Sequence, residues 1–107
     1  MKLRVVLTFL AVIWASSNAQ AYNLIGQGTL ACGTWTSLRQ DRQALGLEQW
    51  VLGFLSGVGY EGESHGDNPL KGIDADTVWS WMDNYCRDHP QATISGSVAA
   101  FDAAHPH

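Results

Sequence analysis

Cysteine, proline and basic side chains are all scarce in this chain of 107 residues, which carries two Cys, three Pro and six Lys plus Arg. Two cysteines cannot build a four-ligand zinc site of the CxxC…CxxC kind or a scaffold of several bridges. Six bases against ten acids leave no cluster able to displace counterions from nucleic acid. Gly62-Glu63-Ser64-His65-Gly66 spells GxSxG but follows no strand-like run, so it is not a nucleophile elbow; there is no phosphate-cradling glycine loop after a strand and no complete calcium loop. Strand-like alternation of useful length is missing as well. What remains is 46% hydrophobic, too apolar for disorder, and long enough for one small domain.

The first residues read as an address. Lys2 and Arg4 precede an almost unbroken apolar run at positions 5–15, and Ala19-Gln20-Ala21 forms a small-x-small cleavage site. The run is short for a bilayer core of about 30 Å, and no second apolar stretch follows, which favours a signal peptide over an uncleaved anchor. The expected layout is therefore a signal peptide at 1–21 and one domain at 22–107. The expected location is periplasmic or secreted, with no stable membrane insertion after cleavage. All ten acids fall in the mature part beside Arg39, Arg42, Lys71 and Arg87, a net side-chain charge of −6. Export also predicts that Cys32 and Cys86 pair in an oxidising compartment. A reactive thiol pair is the alternative, and their wide spacing carries no redox motif.

Periodicity points to an all-α fold, a small single-domain bundle of three or four short helices stapled by one disulfide. Residues 22–36 read as an irregular arm delivering Cys32, and 39–47 as a helix-tolerant stretch broken at Gly46. Leu47, Trp50, Val51, Phe54, Leu55 and Val58 then mark one face of a helix over 47–60. Gly53 and Gly57 share one side of it, where close approach of a neighbouring backbone is the expected reason. Residues 61–72, rich in glycine and acids, read as a loop. Asp74 suits a helix N-cap, Asp76 suits the positive end of the dipole, and Val78, Trp81, Met82, Tyr85 and Cys86 share a broad face. Pro90 is expected to open a last helix through Ile94, Val98 and Phe101, and residues 103–107 to fray.

Chemistry is harder to find. Ser64-His65-Gly66-Asp67 holds a nucleophile, a base and an acid, but triads converge from separated elements, and a glycine-rich loop does not hold geometry. The four histidines are scattered, so neither catalytic nor metal residues are expected, and no cofactor. Four mature-chain tryptophans are many for so small a domain. Trp50 and Trp81 suit the core. Trp35 and Trp79 suit core and surface equally, and with Glu61, Glu63 and Asp67 they form the candidate interaction surface.

Three stretches carry a family resemblance: Cys32-Gly33-Thr34-Trp35, then Trp50-Val51-Leu52-Gly53-Phe54-Leu55-Ser56-Gly57, then Trp81-Met82-Asp83-Asn84-Tyr85-Cys86-Arg87 running into His89-Pro90. Together they resemble the HdeA/HdeB-like group of small periplasmic helical proteins. They are also similar to the Rap/Tai immunity proteins, which neutralise secreted cell-wall amidases. The resemblance implies a helical domain bridged by Cys32 and Cys86, with no catalytic site. The leading expectation is a non-enzymatic, acid- or stress-responsive chaperone acting on unfolded clients. Its physical support is a charge swing from −6 to about +9 as carboxylates and histidines protonate towards pH 2. The alternative is an immunity or inhibitor protein binding one protein partner.

Overall fold

The computed structural model describes residues 23–105, so the expected signal peptide and the last two residues lie outside it. Four α-helices, α1 (Cys32–Gln40), α2 (Leu45–Gly62), α3 (Ala75–Asp88) and α4 (Ile94–Ala104), pack around one disulfide-linked core, with no strand among the described residues.

Helix α3 starts where its cap predicts. The Asp74 carboxylate accepts from the Thr77 backbone N–H at 2.8 Å and from its hydroxyl at 2.7 Å. These bonds satisfy a donor the first helical turn leaves open. Val78, Met82 and Cys86 are buried on one face, with Trp81 and Tyr85 half-buried beside them. In α2 the buried stripe is Leu47, Val51 and Leu55, flanked by half-buried Trp50, Phe54 and Val58. Both stripes follow the four-residue spacing that puts side chains above one another.

Helix α1 corrects the expected irregular arm. It begins at Cys32 without a side-chain cap. Its first N–H groups are satisfied from afar: Cys32 donates to the Ala92 carbonyl at 2.7 Å and Gly33 to the Pro90 carbonyl at 3.0 Å. The turn between α3 and α4 thus caps α1, and nothing in the local sequence signals it. The arm before it, residues 23–31, lies against α2. A Cβ on Gly28 would meet the Trp50 ring at 2.0 Å, so only glycine lets the arm lie flat on that indole. The expected break at Gly46 falls earlier, at residues 41–44, and Gly46 belongs to the first turn of α2.

The start of α4 is also corrected. Thr93, not Pro90, opens it, its hydroxyl accepting from the Gly96 N–H at 3.0 Å. Ile94, Val98 and Phe101 are buried as their spacing requires. The end frays less than expected. The helix runs to Ala104, and His105 stacks on Phe101 with ring centroids 4.0 Å apart.

The Cys32–Cys86 bridge ties the first residue of α1 to α3 with their Cα atoms 4.8 Å apart. It is a bond that an oxidising, non-cytoplasmic compartment preserves. Ser97, fully buried on α4, lies 2.9 Å from the Cys32 sulfur and donates its hydroxyl proton to the Thr93 carbonyl at 2.9 Å. Three helices therefore meet at the staple.

Candidate functional site

The outward face of α2 carries the first candidate. Gly53, Gly57 and Glu61 stand four apart along one ridge, and Phe54, Val58 and Gly62 form the next. Together with His65 and Asp67 they line an open groove of about 580 Å³. Its floor is apolar, made of two half-buried side chains and bare glycine backbone, and its far end carries the carboxylates of Glu61 and Asp67.

The two glycines overturn the expected explanation. A Cβ at Gly53 or Gly57 would meet nothing within 4 Å, so no neighbouring backbone approaches them. Other glycines of the same region do have internal reasons. A Cβ on Gly59 would fall 2.6 Å from the Asn68 side-chain oxygen, and one on Gly62 would fall 2.0 Å from the Asp67 carbonyl. Those two let residues 67–68 fold back over the end of α2. Gly53 and Gly57 serve nothing inside the described molecule, although each costs about 1 kcal/mol of helix stability relative to alanine.

The segment at 61–72 is more structured than the expected loop. Helix α2 continues to Gly62, and a 3₁₀ turn follows at Glu63–His65. Asn68 donates to Glu63 at 3.2 Å, while its side-chain oxygen accepts from the Leu70 N–H at 3.0 Å. Of the three acids singled out from sequence, Glu61 and Asp67 line the groove. Glu63 instead faces an adjoining hollow with Ser56, Gly59, Tyr60, Asn68 and Leu70. His65 and Asp67 line the groove and Ser64 does not, so that trio does not converge on it.

The tryptophans divide differently from the expectation. Trp35 is fully buried and offers no surface, which corrects its place on the candidate interface. Trp79 is half-buried between α1 and α3, its ring 5.8 Å from that of Trp35, and does not line the groove. The burial of Trp35 exposes a cluster that sequence reasoning missed. Its indole N–H donates to Asp83 at 2.9 Å, and the Asp83 carboxylate takes a bidentate pair from Arg39 at 3.0 and 2.9 Å. Arg39 also reaches Glu48 at 3.7 Å, so α1, α2 and α3 share one polar knot. Burial works to raise the Asp83 carboxyl, but the hydrogen bonds from Arg39 and Trp35 and the Arg39 charge outweigh it, holding the group below its ordinary range. Asp74 is held low too, by its hydrogen bonds from Thr77.

No group of three or more His, Cys, Asp or Glu able to hold a metal occurs among the described residues. No helix there is long and apolar enough to cross a membrane. No protein family, curated protein or solved structure matches the chain.

Proposed function

We propose that this is a non-enzymatic exported protein that binds another protein through the groove on α2. The observation that carries this reading is the pair Gly53 and Gly57, which hold open an apolar surface that no part of the described molecule covers. Charge complementarity names the occupant: a partner segment presenting a large apolar side chain over Phe54 and Val58, with a Lys or Arg beside it to meet Glu61 and Asp67. The reading belongs with the immunity or inhibitor class that the sequence resembles. Selection of random peptides displayed on phage against the immobilised protein tests it. The expected consensus is an aromatic or branched apolar residue next to a base. Enrichment of acidic peptides, or no consensus, would contradict it.

A second reading, the acid-responsive chaperone of HdeA-like kind, is favoured by the Asp83 knot. A carboxyl whose folded pKa lies below its unfolded value near 4 stabilises the fold fully above that value. The contribution is lost as pH falls through the lower folded value. Protonating Asp83 removes its charge pair with Arg39 and so weakens the tie between α1 and α3, leaving a neutral acceptor for the Trp35 indole. Reversible exposure of apolar surface below about pH 4, with protection of an acid-labile client, would support this reading.

A further inference from the structure

Four cations occur among residues 23–105: Arg39, Arg42, Lys71 and Arg87. Three of them line one cleft of about 420 Å³ between the C-terminal half of α1 with the turn after it and the C-terminal half of the antiparallel α3, with Thr36, Gln40 and Asp83 completing its wall. The wall of the cleft holds three positive charges against one negative, with Glu48 and Asp88 reaching Arg39 and Arg87 from beside it, so Arg42 is the cation that no acid offsets there. Arg39 and Arg87 have local reasons to be there. Each sits in the last turn of its helix, where a cation opposes the negative end of the dipole. Arg39 is fixed by Asp83, and Arg87 donates to Asn84 at 2.7 Å and lies 3.8 Å from Asp88.

Arg42 has no such reason. Its guanidinium is exposed and forms no hydrogen bond or ion pair among the described residues. Its backbone sits at φ +57°, the only non-glycine in the left-handed region among the described residues. The cause is the turn that ends α1. The Gln43 N–H bonds the Leu38 carbonyl at 2.8 Å and the Arg42 N–H bonds that of Arg39 at 3.2 Å, a Schellman pair. That position favours glycine, and a side chain there costs roughly 1 kcal/mol. A long cation occupies it instead, turned to the cleft.

We infer that this cleft binds a small oxyanion, phosphate-like or dicarboxylate, held by the forked donors of Arg42, with the neighbouring charges of Arg39 and Arg87 adding attraction. A small ion fits better than an acidic protein segment. The surrounding acids repel a long anionic chain beyond the cleft, whereas a small ion lies within about one Debye length, 8–10 Å, of the three guanidiniums.

The test is a titration of the purified protein with inorganic phosphate, and separately with succinate, at pH 7.5 and constant ionic strength. Arginine Nε–H resonances report the site directly. The inference expects saturating shifts for Arg42, Arg39 and Arg87, and the tighter of the two ions identifies the ligand chemistry. Arg42→Gly should weaken binding by at least about tenfold, the loss of one charge-assisted hydrogen bond, while melting no lower than the parent. Arg42→Gln, which keeps the backbone strain and removes the charge, should weaken binding equally. Linear shifts without saturation would overturn the inference, as would undiminished binding in both variants. A glutamate-rich peptide binding more tightly than either ion would overturn the small-ion assignment.

Discussion

Helices α2 and α3 both bury a stripe of three side chains at four-residue spacing, and they differ in what they turn outward. The solvent face of α3 is polar, with Thr77, Ser80, Asn84 and Arg87 exposed, and its start is capped by Asp74. Each feature has a reason inside the molecule. The solvent face of α2 carries Gly53 and Gly57, beside half-buried Phe54 and Val58, and starts at Ala44 with no side-chain cap. Its glycines weaken the helix and relieve no internal crowding. Residues chosen for stability and residues retained against it therefore separate by helix, and the second kind mark where an outside partner would fit.

That contrast can be broken from the α3 side first. Cys86→Ser removes the staple between α1 and α3, and loop-closure arithmetic assigns the bridge about 4 kcal/mol. The variant should lose its cooperative melt at 37 °C by circular dichroism. A melt within a few degrees of the parent would contradict this. Asp83→Ala comes next. It orphans the buried Trp35 indole N–H and removes the partly exposed ion pair with Arg39, for a combined cost of about 2 kcal/mol by chemical denaturation. Asp83→Asn keeps an acceptor for Trp35, so it should cost less and flatten the loss of stability between pH 4 and pH 2. A pH profile unchanged from the parent would remove Asp83 from the acid response. Thr93→Ala, which uncaps α4, should cost about 1 kcal/mol. Gly57→Ala should change stability by a similar amount with the opposite sign, raising the melting temperature by roughly 4–8 °C. A drop would show that α2 needs its glycine for internal reasons.

The features legible in sequence were those with local causes. Asp74 and the Val78, Met82, Cys86 stripe determine α3 within a few turns, and an expected export signal with only two cysteines points to the bridge between Cys32 and Cys86. The start of α1 was hidden because carbonyls of residues 90 and 92 cap it. Thr93 carries a readable cap signal, a threonine just before an apolar run, but Pro90 is the more conspicuous punctuation in the sequence. The candidate site was half legible. Glu61 and Asp67 read as surface acids from sequence, yet a glycine shows what is missing at its position and not what faces it, so the sequence alone points Gly53 and Gly57 to packing. Trp35 is hidden for a related reason: the Asp83 carboxylate that accepts from its buried indole comes from another helix.

The most direct test of the groove is the affinity of Gly57→Leu for a peptide selected against the parent, measured by calorimetry on folded protein. Leucine is a strong helix former and meets nothing within 4 Å at its Cβ, so the variant keeps its fold while its side chain fills the groove. Binding should weaken at least tenfold, roughly the 1.4 kcal/mol that one displaced apolar anchor exceeds. Equal affinity in parent and variant would contradict it.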